Sequence, residues 1–236
     1  MPSHLPGFLA SGPAQPLPYP GFPEVAHRVV LQAVVAAWEG VCTTAVARTV
    51  PRKEVPITVE LQQQLNRMLN EEASTVPGFT ASIFETVIRG GEIENVDESS
   101  MERRPDRTFR LAGTSPARTT REHYGMFTEC KLLDSTHSLN AYCETGLRRF
   151  LQSEYAWAMP HALMLAYADT DSTPADLAIH LASEDANGTI GTPAVDVPPP
   201  SAGVRSRHAR ERAGIAAASG PIDITHVWLS LRVAGP

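Results

Sequence analysis

The sequence predicts an α/β protein in which one mixed β-sheet is covered by helices. Two early stretches, 24–47 and 56–72, have the length and apolar spacing of helices. Later stretches are shorter, rich in β-forming residues and alternate polar with apolar positions, and 161–169 is apolar throughout. An alternating strand buries one face, whereas a continuously apolar strand is buried on both. Such a mixture of helices and strands packs as layers around one sheet.

The two N-terminal helices differ in how their apolar residues are distributed. Residues 24–47 show little contrast between faces, so this helix is expected to be covered on most sides. In the second helix Leu61, Leu65 and Leu69 fall on one face, and Thr58 is the predicted N-cap.

Three strands are predicted in the middle of the chain, at 79–90, 106–113 and 123–133. The Gly-Gly pair at 90–91 ends the first strand. The polar segment 114–122 is a hairpin loop between the second and third strands, so these two strands are expected to pair antiparallel.

The C-terminal half again alternates helix and strand. The predicted helices are 138–156 and 173–183, and the predicted strands are 161–169 and 221–233. The segment 185–203 has the Pro-, Gly- and Ser-rich composition of a mobile surface loop. The middle section therefore has the order helix, strand, strand, strand, helix, strand.

Length and composition indicate a single domain. The chain has 236 residues, of which 42% are hydrophobic, enough for one sizeable core over 24–236. Residues 1–23 are Pro-rich and are predicted to be extended or disordered. The formal net charge of −6 excludes a protein that coats nucleic acid by charge alone. A local basic footprint could come from Arg103, Arg104, Arg118, Arg121 and the segment 205–212, although each of these is also typical of a solvated surface.

The sequence predicts a cytoplasmic protein. Three cysteines, an odd number without metal-type spacing, favour a reducing compartment. The Pro-rich N-terminus lacks the basic start and apolar centre of a signal peptide. The apolar helix 24–47 carries His27, Arg28 and Glu39, which makes it too polar to span a bilayer.

One of only two lysines in the chain, Lys131, lies inside the predicted strand 123–133, where it follows Glu129 by two residues. Residues two apart on a strand point to the same face. Lysine differs from arginine where a compact charge or an amine with an adjustable pKa is needed. Taken alone, the pair also fits a cross-strand salt bridge, and that plainer interpretation is favoured until other residues join it.

Asp106 strengthens the catalytic interpretation. It begins the strand before Glu129, and antiparallel pairing brings both carboxylates near the middle of the third strand. Two carboxylates close together repel each other and gain most from a divalent cation between them. A lysine beside that cation can polarise a water molecule and stabilise the negative charge of a pentacovalent phosphate. These three residues are predicted to converge in a notch that water can enter.

At these residues the chain resembles the PD-(D/E)XK nuclease superfamily. The resemblance rests on Pro105-Asp106, on Glu129-Cys130-Lys131 after a hairpin, and on the helix YCETGLRRFLQSEYA at 142–156. It covers roughly 52–233, and the specificity lies in the order and spacing of the motifs rather than in any one of them. It implies a restriction-endonuclease-like core of αβββαβ order with a mixed central sheet flanked by helices.

The resemblance also implies a function. Asp106 and Glu129 would ligate Mg²⁺ or Mn²⁺, Lys131 would be the catalytic lysine, and Glu54, or else Glu60, would add a carboxylate from the first core helix. The implied activity is hydrolysis of phosphodiester bonds in nucleic acid, DNA rather than RNA, in bacterial defence or restriction. The implied assembly is a homodimer or a larger defence complex away from membranes.

The helix after the motif supplies further candidates. Tyr142, Gly146 and Arg149 share one face, and Gly146 is expected to permit close packing on the sheet. Arg149 either clamps a phosphate or pairs with a carboxylate such as Glu129, and the two alternatives stand about even. Cys130 is expected to be buried and inert, and His208 and His226 are interpreted as packing or surface residues rather than catalytic ones.

Other classes of protein fit less well. The sequence contains no G-x-S-x-G nucleophile elbow and no P-loop, and the cysteines are wrongly spaced for zinc. The serious alternative is a catalytically silent nuclease-like fold that serves nucleic-acid binding or protein interaction within a complex. An intact Asp106, Glu129 and Lys131 set argues against that alternative without excluding it.

Overall fold

A computed structural model gives a five-stranded mixed sheet with helices packed on it. It describes residues 17–43, 53–71, 75–90, 104–113, 116, 119, 121–184, 197–199, 201–211 and 218–231. The helices are α1 (Glu24–Thr43), α2 (Glu54–Asn70), α3 (Leu139–Tyr142), α4 (Arg148–Leu151) and α5 (Pro174–Glu184). The strands are β1 (Arg107–Phe109), β2 (Met126–Leu133), β3 (His161–Ala168), β4 (Ala202–His208) and β5 (Ile222–Ser230).

The order of strands across the sheet is β1-β2-β3-β5-β4. The three central strands β2, β3 and β5 are parallel, and the outer strands β1 and β4 pair antiparallel with their neighbours. The apolar strand β3 lies in the middle and is buried along almost its whole length. The predicted class, a mixed sheet in an α/β protein, is confirmed, as is the antiparallel pairing of the strands on either side of the 114–122 segment.

Helices cover both faces of the sheet. On one face, Trp38 of α1 stacks on Tyr167 of β3 with ring centroids 5.5 Å apart, and Thr58 of α2 hydrogen-bonds the same tyrosine. On the other face lies one continuous helix, 139–151, in which a π-helical segment, Cys143–Leu147, joins α3 to α4. We call it the bulged helix. The sequence around 174–184 forms α5, which packs beside it on β4 and β5.

Two predicted elements differ from the structure at the first edge of the sheet. The segment 79–90 forms only isolated bridges to the β1 region, because side chains of α2 take over part of its hydrogen bonding. Asn66 and Gln62 both bond the carbonyl of Val87, and Asn66 also accepts from its N–H. The predicted strand 106–113 shortens to β1, which has three residues.

The sequence also missed strand β4. Its segment was interpreted as a linker end and a basic surface patch, yet Val204, Ser206 and His208 point into the core while Arg205 and Arg207 alternate with them. Buried and exposed residues alternate along this strand, but the charged side chains at the exposed positions made the segment look like a surface patch. The rest of the predicted loop 185–203, apart from 197–199 and 201–203, lies outside the described residues.

Other corrections concern the N-terminal part. Helix α2 begins at Glu54 rather than at the predicted cap Thr58, which is buried inside the helix, since Pro56 is tolerated in a first helical turn. Within the Pro-rich head, which was predicted to be extended or disordered, 17–23 forms no helix or strand, and Tyr19 and Phe22 are buried in the core. Residues 1–16, 44–47, and the basic positions Arg103, Arg118 and Arg212 lie outside the described residues.

Helix α1 is long and apolar enough to cross a membrane by length and composition alone, so the prediction that it is too polar to span a bilayer is wrong on that criterion. Nine of its residues are buried against the protein, among them Val30, Leu31 and Val34, which are fully enclosed, whereas Val25 is exposed. This packing is that of a core helix and is consistent with a soluble protein. The cytoplasmic location stays a prediction.

Candidate functional site

Strand β2 has an edge that β1 leaves partly open. The short β1 pairs only with Met126–Thr128, so the N–H groups of Cys130 and Leu132 project beyond its end. Two carboxylates bond these groups. Asp106 Oδ2 accepts from the N–H of Cys130 at 2.8 Å, and Glu54 Oε2 accepts from the N–H of Leu132 at 3.4 Å. The backbone of β2 thus holds both acids against the strand that carries Glu129 and Lys131.

Glu54 enters the site because α2 starts early. It lies in the first turn of the helix, which begins two residues before the predicted start at 56, and its other oxygen lies 3.3 Å from Lys131 Nζ. An acidic side chain in the first turn is also favoured by the helix dipole. Of the two glutamates considered for this role, Glu54 is the one that contacts Lys131.

Glu129 and Lys131 share a face of β2, as predicted, and form an ion pair with Oε1 and Nζ 2.8 Å apart. Glu129 is fully buried, and both of its carboxylate oxygens accept bonds. Oε1 also accepts from Arg149 Nη1 at 3.0 Å, and Oε2 accepts from the hydroxyl of Tyr155. The expectation that the whole cluster opens to water is therefore wrong for Glu129: three donors enclose it.

The bulged helix fixes the stem of Lys131. A Cβ atom added to Gly146 would lie 2.7 Å from Met164 Cε and 3.1 Å from Lys131 Cγ, both too close. The glycine therefore lets the helix approach the sheet, as predicted, and the helix backbone covers the lysine stem. The contact falls within the π-helical segment, a distortion often found at functional sites.

Tyr155 was missed by the sequence analysis, which continued a helix through this position. The helix ends at Leu151, and the next turns contain two non-glycine residues with positive φ, Ser153 at 58° and Ala156 at 57°. Left-handed conformations of such residues are unfavourable and persist only where packing imposes them. The ring of Tyr155 packs edge-on against Phe150, and its hydroxyl reaches Glu129. The sequence carries no glycine that would have signalled these turns.

The other two candidates on the bulged helix, Arg149 and Tyr142, have different partners. Arg149 pairs with Glu129, which is one of its two predicted roles, and its Nε lies 4.0 Å from Glu154. Tyr142 instead bonds His226 Nδ1 at 2.9 Å, and the opposite ring nitrogen of that histidine bonds Ser206. These groups are buried, which agrees with the packing interpretation of His226.

Burial and charge act in opposite directions on the ionisable groups. Burial and the nearby charge of Asp106 raise the pKa of Glu129 to about 7, although Lys131 and Arg149 oppose that shift. Burial alone would lower the pKa of Lys131, but Glu129 and Glu54 raise it above its ordinary value. Lys131 is therefore a stable cation. Cys130, on the other face of β2, is fully buried, and burial raises the pKa of its thiol to about 12, as expected of an inert residue.

The cluster is rich in carboxylate oxygens, the ligand type that hard divalent cations prefer. Four carboxyl groups, from Glu54, Asp106, Glu129 and Glu154, lie near the cations Lys131 and Arg149, and Asp106 also lies near the charge of Arg107. Among the residues that the structure describes, no group of three or more His, Cys, Asp or Glu side chains is arranged to hold a metal. Mg²⁺ commonly uses one or two carboxylates together with substrate phosphates, so two carboxylates are enough.

The predicted basic footprint is partly neutralised. Arg121 pairs with Glu85, and Arg207 lies 3.4 Å from Asp223. These arginines belong to surface ion pairs, which hold little free energy and can exchange partners.

Comparison of the chain with protein-family models, with curated proteins and with solved structures finds no match in any of the three.

Proposed function

We propose that this protein is a metal-dependent phosphodiesterase that cleaves nucleic acid. One observation carries the proposal: Glu54, Asp106, Glu129 and Lys131, which come from α2, the residue before β1, and β2, meet at the open edge of a single strand. Carboxylates that converge on one lysine repel each other, and this repulsion costs the folded protein free energy. A cluster that keeps such a cost is typical of a functional site.

Each residue has a role that its position allows. Lys131 stays protonated between Glu129 and Glu54, so it can orient a water molecule and stabilise charge that develops on a phosphate. Asp106 and Glu129 would hold Mg²⁺ or Mn²⁺, with Glu54 as the additional carboxylate. The cation, when bound, would supply Lewis acidity toward the phosphate oxygens.

The same proposal includes a restriction-endonuclease-like core within the PD-(D/E)XK superfamily. What supports it is the four residues above and the order α2, β1, β2, bulged helix and β3, in which segment 79–90, the expected first strand, forms only isolated bridges. Their position at the short β1 and the open part of β2 agrees with the place that the motif would require. The further proposals are DNA as the substrate, a cytoplasmic location, a role in bacterial defence or restriction, and a homodimer or defence complex as the assembly.

A second candidate function has an observation in its favour. Glu129 is enclosed, and both of its oxygens accept bonds from Lys131, Arg149 and Tyr155. A fold that has lost catalysis could keep such a cluster as a structural ion-pair network. On this alternative the protein binds nucleic acid or a protein partner without cleaving anything.

Cleavage assays separate the two. Purified protein is incubated with supercoiled plasmid, single-stranded DNA and RNA, each with Mn²⁺ or with EDTA, beside Lys131→Ala and Lys53→Ala. Lys53 is the other lysine of the chain and is exposed, which makes it the matched control.

The proposal expects cleavage by the wild type and by Lys53→Ala with Mn²⁺ only, and a loss of about a hundredfold or more in Lys131→Ala. Equal cleavage by the wild type and Lys131→Ala, or cleavage in EDTA, would reject the proposed site. Nucleic-acid binding without any cleavage would establish the silent alternative.

A further inference from the structure

The three donors that enclose Glu129 differ in how firmly they are held. Lys131 is 11% exposed, and its stem is covered by the backbone at Gly146. Tyr155 is 1% exposed and lies between the two strained residues Ser153 and Ala156. Arg149, in contrast, is 40% exposed at the surface of the bulged helix. Arg149 is thus the most exposed of the three donors, and its rotation away from Glu129 would disturb the packing of the site least.

Arg149 also stands between two kinds of anion. Its Nη1 bonds Glu129 Oε1, and its Nε lies at the edge of ion-pair distance from Glu154. The guanidinium group presents a planar set of donors that fits the oxygens of a phosphate as well as those of a carboxylate. A phosphate that arrives from solvent can therefore contact the exposed guanidinium of Arg149 beside Glu129.

We propose that Arg149 is a latch that exchanges Glu129 for a backbone phosphate of the nucleic acid. With no substrate bound, it occupies Glu129 Oε1 and keeps the carboxylate closed to a metal. When a phosphate takes the guanidinium, Oε1 retains only Lys131 and becomes available to a divalent cation. This inference rests on the proposed function and adds an order to it: phosphate and metal bind cooperatively.

The latch predicts that removal of the Arg149 guanidinium changes the affinities for Mn²⁺ and for DNA in opposite directions. Removing the guanidinium removes a competitor of the metal, so the affinity for Mn²⁺ alone rises. The same change removes a phosphate ligand, so the affinity for DNA alone falls. A purely structural arginine would lower both affinities, because its loss would loosen the site.

The test measures two equilibria and their coupling on the full chain. Calorimetry gives Mn²⁺ affinity without DNA, and fluorescence anisotropy gives the affinity for a phosphorothioate DNA duplex in EDTA. The Mn²⁺ titration is then repeated on the DNA complex. The variants are Arg149→Gln and, as matched control, Arg148→Gln. Arg148 is the neighbouring arginine, similarly exposed, and it pairs with Glu144 and Glu211 instead.

In the wild type, DNA is expected to raise Mn²⁺ affinity about fivefold or more, a usual size for coupling between sites. In Arg149→Gln the Mn²⁺ affinity without DNA should rise to a similar extent, DNA affinity should fall about tenfold, and the coupling should vanish. Arg148→Gln should keep the wild-type coupling. Thermal melts confirm that both variants fold.

Two outcomes overturn the latch. The first is that Arg149→Gln weakens Mn²⁺ binding or keeps the wild-type coupling, which would mean that Arg149 does not compete with the metal. The proposed function would still stand in that case, provided that the wild type binds Mn²⁺ and cleaves. If the wild type binds no Mn²⁺ with or without DNA, the proposed function fails first and the latch fails with it. Arg149→Lys checks the first outcome, since it retains the charge and should restore part of the DNA affinity.

Discussion

The two faces of β2 each bury a charged side chain, but they treat it differently. On one face Glu129 meets two cations and a tyrosine hydroxyl, and one of those cations, Arg149, reaches the surface. On the other face Arg107 of β1 is fully buried and donates only to neutral groups: the carbonyl of Thr58, the thiol of Cys130 and the hydroxyl of Tyr167.

This difference separates a structural charge from a candidate catalytic one. The partners of Arg107 lie on α2, β2 and β3, so its guanidinium ties one helix layer to the sheet and has no path to a ligand. Glu129 lies near the charge of a second carboxylate, Asp106, and one of its partners, Arg149, is exposed to solvent. Burial alone therefore does not mark a functional residue; the mobility and charge of its partners do.

The largest effect is expected on the Glu129 face. Glu129→Gln should lower cleavage about a hundredfold or more, because the amide is a poor cation ligand and cannot hold Lys131 as an ion pair. Glu54→Gln should lower it less, by about tenfold, since Glu54 supports Lys131 from the side. The matched control is Glu60→Gln on the same helix, and initial rates with Mn²⁺ measure all three. A full loss in Glu60→Gln with an active Glu54→Gln would reverse the assignment.

On the opposite face the expected effect is on stability. Arg107→Ala should lower the free energy of unfolding by about 3 kcal/mol, because it opens a cavity and leaves the Thr58 carbonyl and Tyr167 hydroxyl with fewer partners. Arg110→Ala, on a neighbouring and partly exposed residue, should cost clearly less. Urea unfolding measures both. If Arg107→Ala is as stable as wild type, the two faces do not differ as described.

Gly146→Ala should affect both properties to a smaller degree. The added methyl group meets Met164 and the stem of Lys131, so we expect a loss of about 1–2 kcal/mol in unfolding free energy and a lower cleavage rate. A double variant with Met164→Ala gives the methyl group room on the strand side and should recover much of the added strain. Unfolding and rate measurements on the two single variants and the double variant form the test, and strictly additive losses would show that the contact does not matter.

The effect that is smallest at neutral pH, because it develops only as the pH falls, concerns His226, which lies on the Glu129 face two strands away. Burial, with a smaller contribution from His208, lowers its pKa from 6.5 to about 3. Between these pH values the unfolded chain binds a proton that the folded chain does not. The stabilising effect is therefore complete above about pH 6.5 and is lost as the pH falls toward 3, at about 1 kcal/mol per pH unit.

His226→Gln tests this, because the amide does not titrate. Its unfolding free energy should vary less between pH 6.5 and 4 than that of the wild type, whatever its value at neutral pH. Urea unfolding across that range measures the slopes. Equal slopes would mean that the folded and unfolded chains protonate His226 alike, in conflict with the lowered pKa that its burial implies.

How much could be predicted from the sequence differs from element to element. Period and apolarity were enough for α1, α2, β2, β3 and β5, and for the shared face of Glu129 and Lys131. They failed where hydrogen bonds come from distant residues: Val87 bonds side chains of α2 instead of a neighbouring strand, so 79–90 is not a regular strand. The spacing of charges hid β4, whose buried positions include Ser206 and His208.

The site shows the same limit. Asp106 could be placed because a hairpin fixes antiparallel neighbours. Glu54 was named only from the resemblance, with Glu60 as the alternative, because the predicted helix began after it. Tyr155 could not be placed, since it reaches Glu129 through backbone conformations that tertiary packing imposes on Ser153 and Ala156. The burial of Glu129 could not be predicted either, because it depends on how closely the bulged helix approaches the sheet at Gly146.

Crystals soaked in Mn²⁺ together with a short phosphorothioate DNA test the central claim most directly. The account predicts an anomalous difference peak about 2.1 Å from carboxylate oxygens of both Asp106 and Glu129, with Arg149 turned toward a phosphate. No peak at that position, with Glu129 still bonded to Lys131, Arg149 and Tyr155 while DNA is bound, would contradict it.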